Sequence, residues 1–208
     1  MIPEVGHFAL ILGLVLALAQ VVVPSMGLWT QREEWQAVAR RASYAQCLVL
    51  CVSFAALAIS FLQNDFSVAY VAANSNSHLP KIYQFCAVWG SHEGSLLLWL
   101  TLLGGWTAAV ARFSGALPGD FVARVLIVLA LIAIGFYLLI LMTSNPFERI
   151  LPLAPTDGRD LNSLLQDPGL VSHPPMLYLG YVGFSVAFAF AIAALWRGGL
   201  DASWAAWT

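Results

Sequence analysis

The chain has 208 residues, of which 60% are hydrophobic and 10% are charged, and its formal net charge is −2. This composition provides too little polar surface to cover a water-soluble globule of ordinary kind. The nearly balanced charge also argues against a basic surface for nucleic acid. The sequence therefore predicts an integral membrane protein, with the lipid bilayer as its first partner.

Five apolar runs are long enough to cross a hydrocarbon core of about 30 Å, which requires roughly 20 helical residues. They cover residues 8–28, 42–62, 95–113, 121–143 and 176–196. Helices satisfy their own backbone groups in lipid, so the predicted fold class is all-α, a polytopic membrane helical bundle forming a single domain. We do not interpret the first run as a cleavable signal peptide, because Glu4 and His7 precede it in place of a basic segment.

Lysine and arginine are distributed unevenly between the two sides of the predicted membrane. Six lie on one side: Arg32, Arg40, Arg41, Arg112, Arg124 and Arg197. Three lie on the other side, in longer connections: Lys81, Arg149 and Arg159. The positive-inside rule then predicts that the N-terminus is outside and that residues 63–94 and 144–175 form outer loops. Connections this long are usually functional, so the site is expected there.

The three cysteines do not suggest a metal or redox centre. Cys47 and Cys51 are four residues apart on one helix, and Cys86 lies in the first outer loop. This spacing matches neither a zinc site nor a CxxC pair. We interpret them as small packing residues.

The second outer loop ends in a histidine followed by two prolines. Pro174 favours an extended backbone at His173, and Pro175 suits the first turn of the next helix because it has no N–H to satisfy. The pattern predicts an imidazole anchored at the outer mouth of the fifth span. Such an imidazole can bind haem iron, but the pattern alone favours a loop histidine bonded to a carbonyl or a headgroup.

Residues 89–99 of the first outer loop read WGSHEGSLLLW. Ser91 is suited to cap the third span, and Glu93 favours the positive end of that helix. One interpretation is a capped helix start with aromatic anchors at the membrane surface. The other is a wall for a flat macrocycle, formed by Trp89 and Trp99, with His92 and Glu93 as polar contacts. We retain Trp89, His92 and Trp99 as candidate cofactor-binding residues.

Two shorter segments carry weaker signals. Residues 68–76 alternate in polarity and favour a strand or turn at the outer surface. Leu161, Leu164 and Leu165 follow the i, i+3, i+4 spacing of a short amphipathic helix within residues 160–167.

Taken together, these motifs strongly resemble those of CcmF-type cytochrome c biogenesis proteins, the CcmF/NrfE family, in its N-terminal portion. The matching stretches are residues 64–66 with 70–72, 89–99, 143–147, 157–175 and 178–184. Ser163 departs from the proline common in that motif, and we expect little effect in a loop already rich in turns.

The resemblance implies a subunit of the bacterial haem lyase, in the inner membrane with its functional loops facing the periplasm. His173 corresponds to the family's axial ligand for haem delivered by a CcmE-type carrier. The implied partners are that carrier, apocytochrome c and CcmH/CcmI-type subunits. The reaction adds the apocytochrome's cysteine thiols across the haem vinyl groups, so no catalytic nucleophile is predicted in this chain.

The family's tryptophan-rich segment, its second external haem histidine and its intramembrane haem ligands lie beyond residue 208. We therefore expect the 208 residues alone to be inactive. Residues 201–208 resemble the approach to a further helix, which indicates a fragment of a longer protein.

Two functions of other classes remain as alternatives. One is a non-catalytic scaffold that docks assembly partners through its outer loops. The other is a permease subunit for haem or a solute, although the apolar centres of the spans contain none of the charged residues typical of such proteins.

Overall fold

The structure, a computed structural model, describes residues 1–198, apart from the side chain of Leu170. Its α-helices are α1 Ile2–Trp29, α2 Glu33–Gln36, α3 Val38–Leu62, α4 Ala69–Asn74, α5 Lys81–Cys86, α6 His92–Phe113, α7 Gly119–Thr143 and α8 Pro168–Arg197. Within the described residues, five helical segments are long and apolar enough to span a membrane, and they contain α1, α3, α6, α7 and α8. The prediction of an all-α membrane bundle with five spans is confirmed.

Helix α7 lies at the centre of the bundle and packs against α1, α3, α6 and α8. Its spanning part is apolar on every side, because one side packs on other helices and the other side, which exposes Leu131 and Leu138, is suited to lipid. Leu126, Leu129 and Tyr137 are fully buried in it. On one side, the Gln20 side chain of α1 donates a 2.9 Å hydrogen bond to the Leu126 carbonyl, a polar contact of the kind that joins helices in lipid.

The polar side chains buried in the spanning helices are neutral. They are Gln20, Ser43, Gln46, Ser53, Ser60 and Thr107. Among the described residues, no aspartate, glutamate, lysine or arginine is buried. The interior of the described bundle is therefore apolar and neutral, and it differs in this from the charged pathways of many transporters.

The cysteines differ in their environments. Cys86 is buried, Cys47 is half-buried and Cys51 is exposed on the surface of the bundle, and all three are free thiols. Packing in the protein interior therefore accounts for Cys86 but not for Cys51.

The two long connections, residues 63–91 (the first loop) and 144–167 (the second loop), lie at the same end of the bundle as the start of α1. We call it the loop end. At the opposite end, arginines lie near helix termini. Arg40 donates to the carbonyls of Ala111 and, at 3.2 Å, Ser114, where α6 ends. Carbonyls in the last turn of a helix lack part of their usual hydrogen bonding, and a cation is favoured there, which explains the position of the guanidinium.

Two local predictions were wrong. Residues 69–74 form the helix α4 instead of a strand, and only the residue before it, Val68, makes an isolated antiparallel bridge, to Arg149. Within residues 160–167, only Ser163–Leu165 form a helical turn, of the 3₁₀ type. Leu161 is buried but Leu164 is 68% exposed, so these leucines do not share one apolar face. The interpretation of residues 201–208 lies outside the described residues.

Candidate functional site

The two loops are joined through their backbones at the loop end. The Ala69 N–H donates to the Glu148 carbonyl at 2.8 Å, and the Ile150 N–H donates to the Ser67 carbonyl at 2.8 Å. The N–H and carbonyl groups in these bonds have no partner inside a helix, and each finds one in the other loop. The second loop is therefore fixed against the first.

Arg149 adds a charged connection at the same place. Its guanidinium lies 3.0 Å from the Asp65 carboxylate in the first loop and 3.2 Å from the Glu4 carboxylate in α1. Burial alone would raise the pKa of Asp65, but hydrogen bonds from Ser67 and Arg149 and the charge of Arg149 outweigh it, so the pKa is lowered. Arg149 thus holds both loops and the first helix together.

Asp157 and Asp160, in the second loop, are used for docking. The Asp157 carboxylate accepts hydrogen bonds from the Ser77 N–H at 2.9 Å and the Ser77 hydroxyl at 2.6 Å. Asp160 accepts one from the Asn76 amide at 3.1 Å. The Ser77 hydrogen bonds are the main reason that the pKa of Asp157 is lowered. These carboxylates therefore have a structural role.

Gly158 is required by the same docking. A Cβ atom added there would lie 2.0 Å from the Ser75 carbonyl oxygen, far inside van der Waals contact. The next residue, Arg159, donates its N–H to the Ala72 carbonyl at 2.7 Å. The backbone of residues 157–160 thus packs directly against the end of α4.

Tyr70, on α4, organises the other half of the first loop. Its hydroxyl donates to the Val88 carbonyl at 3.0 Å and accepts the Ser91 N–H at 3.1 Å. The side chain is buried, which raises the pKa of the Tyr70 hydroxyl. A Cβ atom on Gly94 would lie 1.6 Å from the same Val88 carbonyl, so the first turn of α6 passes very close to this segment. The segment from Val88 to Ser91 is consequently held in one conformation.

Helix α8 begins earlier than the sequence suggests. Asp167 accepts the Gly169 N–H at 2.8 Å, in the manner of an N-cap residue, and Pro168 takes the first helical position, where proline is favoured. His173, Pro174 and Pro175 therefore lie inside the helix. The prediction of an extended His173 outside the fifth span was wrong, because this cap starts the helix before the proline pair.

A proline inside a helix leaves a carbonyl without its usual donor. Pro175 has no N–H to give to the Val171 carbonyl, four residues earlier. The indole N–H of Trp89 donates to this carbonyl at 3.2 Å. The first loop thus supplies the hydrogen bond that α8 cannot make for itself.

The His173 side chain is exposed at the loop end. Within residues 1–198, its ring has no hydrogen-bond or ion-pair partner. Both ring nitrogens are therefore accessible, and neutral imidazole is a good ligand for haem iron. One imidazole can supply one axial ligand, so the described residues fit one side of a haem.

The other candidate residues are placed differently. Trp99 stacks on Tyr178 of α8 with parallel rings and centroids 5.7 Å apart. His92 lies 3.2 Å from the Glu93 carboxylate, in a contact that lacks the geometry of a hydrogen bond. Trp89 contacts α8 at Val171, two residues before His173, and Trp99 contacts it at Tyr178, five residues after His173. His92 and Glu93 pair with each other, and in the described part of the chain they make no hydrogen bond to α8.

Two residues that organise the candidate site were not identified from the sequence. Tyr70 fixes the backbone around Trp89, and Tyr178 is the stacking partner of Trp99. The only signal in the sequence was their presence in the matching motifs, since both act through partners distant in the chain.

Comparison with known proteins identifies the family. A family model described as Cytochrome C assembly protein matches residues 89–205. Over its whole length, the chain is 60% identical to the cytochrome c-type biogenesis protein CcmF of Pseudomonas aeruginosa, and 52% identical to that of Escherichia coli, covering 32% of each. A solved structure of the cytochrome c haem lyase CcmF matches with a TM-score of 0.82 at 25% identity, over 98% of this chain and 32% of that one.

The chain therefore spans about a third of the length of the relatives that it matches. The resemblance to CcmF-type proteins is confirmed along the whole chain. The part that matches the family model, residues 89–205, contains both Trp89 and His173. This chain belongs to the cytochrome c assembly protein family.

Proposed function

We propose that this chain belongs to a cytochrome c haem lyase subunit, in which His173 binds the iron of haem delivered by a CcmE-type carrier. The observation that carries the proposal is the exposed His173 imidazole, which has no partner among the described residues, on a helical turn bound to the first loop. A ligand held in this way loses little freedom when it binds iron, which favours affinity.

Haem is the substrate in this proposal. A cysteine thiol of apocytochrome c adds across a haem vinyl group, so that sulfur bonds to one vinyl carbon and hydrogen to the other. No group leaves and no external oxidant is consumed in this addition. The protein then has to hold and orient haem, because the substrate brings its own nucleophile. His173 would hold the iron until the apocytochrome offers its own histidine.

We also propose that the loop end faces the periplasm and that the chain lies in the inner membrane. Six arginines at the opposite end, against three basic residues at the loop end, support this orientation. It puts His173 on the side on which a periplasmic carrier and an apocytochrome could reach it. CcmH/CcmI-type subunits are the further partners proposed for the loops.

A substitution of His173 in the full-length protein tests the function. We expect His173→Ala to reduce the haem that co-purifies and to reduce the maturation of a reporter cytochrome c. His173→Met should retain part of the haem with an altered absorption spectrum, because methionine is an alternative axial ligand. His78→Ala is the control for an exposed histidine at the loop end; its ring lies 3.9 Å from the Asp157 carboxylate, an exposed pair that we expect to contribute little. Unchanged haem content and maturation in His173→Ala would contradict the proposal.

A non-catalytic assembly scaffold is the second candidate. It is favoured by the use of Asp157 and Asp160 for docking one loop on the other, which leaves these residues no direct part in chemistry. The difference in haem absorbance between the purified full-length protein and its His173→Ala variant distinguishes the two functions, because a scaffold would carry no haem bound through His173 and the two proteins would then absorb equally. A permease is not favoured, because the polar residues buried in the spanning helices are neutral.

A further inference from the structure

Two tryptophans donate hydrogen bonds to the backbone of α8, and the two acceptors differ in kind. Trp106 donates to the Leu179 carbonyl at 3.1 Å. Four residues after Leu179 comes Gly183, whose N–H can make the ordinary helical bond to the same carbonyl. The Trp106 bond is therefore an addition to a helix that is already satisfied at this point.

The bond from Trp89 replaces a missing one. Its acceptor, the Val171 carbonyl, faces Pro175 four residues later, and proline has no N–H. Without the indole, this carbonyl would lose its donor in the turn that carries His173. A helical turn with an unpaired backbone acceptor is less strongly held in one conformation.

Trp89 itself is held on the first loop. The Ser95 hydroxyl donates to the Trp89 carbonyl at 2.9 Å, and the Phe85 ring packs edge-on against the indole with centroids 5.4 Å apart. On the N-terminal side, Tyr70 binds the Val88 carbonyl. These contacts hold the Trp89 backbone and ring in place, so the position of the indole N–H is fixed.

We infer that Trp89 is a positioning residue for His173. Its indole N–H takes the place of the N–H that Pro175 lacks, and so fixes the turn of α8 that presents the imidazole. Trp89 then acts through the backbone of Val171, without contacting the haem iron. This inference rests on the proposed function of His173 as an iron ligand.

The test uses four variants of the full-length protein: W89F, P175A, the double variant W89F/P175A and W106F. Phenylalanine keeps an aromatic ring against Phe85 and removes the indole N–H together with part of the ring volume, and the double variant separates these two effects. Alanine at position 175 restores a backbone N–H that can bind the Val171 carbonyl. W106F removes an indole bond to the same helix, where no proline has freed the acceptor.

We expect W89F to lower haem affinity about tenfold, the scale set by one hydrogen bond, and to shift the haem absorption spectrum. W89F/P175A should regain most of both, while P175A and W106F should resemble the parent. A parent-like affinity and spectrum in W89F would overturn the inference, as would an equal loss in W89F and W89F/P175A, because packing would then explain the effect.

His173→Ala measured in parallel separates the two proposals. If H173A binds haem as the parent does, the ligand assignment fails, and the positioning role fails with it. If H173A loses haem but W89F does not, only the positioning role fails. Immunoblotting of the membrane fraction confirms that each variant accumulates before affinities are compared.

Discussion

The hydroxyl of Tyr70 lies 3.0 Å from the Val88 carbonyl oxygen, and this contact fixes the backbone next to Trp89. Tyr70→Phe would leave both the Val88 carbonyl and the Ser91 N–H without this partner in a buried place. We expect the free energy of unfolding to fall by about 1–3 kcal/mol, measured by thermal unfolding of the full-length protein in detergent. Tyr181→Phe is the control, because that side chain is 60% exposed. Equal melting temperatures of the two variants would contradict this role of Tyr70.

Gly158 offers a steric test of the docking between the loops. Gly158→Ala would force a Cβ atom to within 2.0 Å of the Ser75 carbonyl oxygen, so the second loop must move away. We expect faster proteolysis within residues 150–160 and reduced cytochrome c maturation. Gly115→Ala is the matched control, since a Cβ atom there meets nothing within 4 Å. If both variants are cleaved at the same rate, the close contact is not important for docking.

Asp157 predicts how the docking depends on pH. Its pKa lies below the ordinary 3.8, chiefly because Ser77 donates to the carboxylate. A lowered pKa means that the ionised form is favoured in the docked loop, so this contribution is fully present above the ordinary pKa and is lost as pH falls through the lowered value. We expect the protection of residues 76–79 and 157–160 against amide hydrogen exchange, relative to the intrinsic rate at each pH, to fall sharply only below about pH 4. Asp157→Asn should remove that pH dependence; a transition of the same size in this variant would assign it to another group.

The pairing of Arg149 with Asp65 can be measured by a double-mutant cycle. The two side chains are partly exposed and 3.0 Å apart, so we expect a coupling energy of about 0.5–1 kcal/mol. The variants are Arg149→Met, Asp65→Asn and the double variant, compared by thermal unfolding in detergent. Arg124→Met with Asp65→Asn is the matched non-contacting pair, for which the effects should add. A coupling near zero for Arg149 and Asp65 would mean that the backbone bonds alone hold the loops.

The sequence was sufficient to predict the bundle because a membrane span demands a long apolar run, and the run is its own signal. It was not sufficient for α4, where alternating polarity suggested a strand. There Tyr70 and Val71 are buried and the Ala69 N–H is bound by Glu148, so distant contacts decide the local conformation.

The prediction of where α8 begins was wrong for a related reason. A proline pair usually marks a helix boundary, and no local feature indicates that a tryptophan 82 residues away can supply a hydrogen bond at this point. Asp167 and Pro168 are a recognisable start of a helix in the sequence, but the predicted fifth span begins only at residue 176. His173 was singled out by its prolines and by the family resemblance, and its exposure agrees with availability as a ligand.

The position of Arg149 in the chain has a consequence for biogenesis. Its carboxylate partners, Glu4 and Asp65, are synthesised early, whereas Arg149 follows α7, the fourth spanning helix. During synthesis, Glu4 and Asp65 therefore cannot pair with Arg149 until the fourth spanning helix has been made. These ion pairs of the loop end can form only after α7 has been synthesised, so the surface that carries His173 is completed after the first four spanning helices.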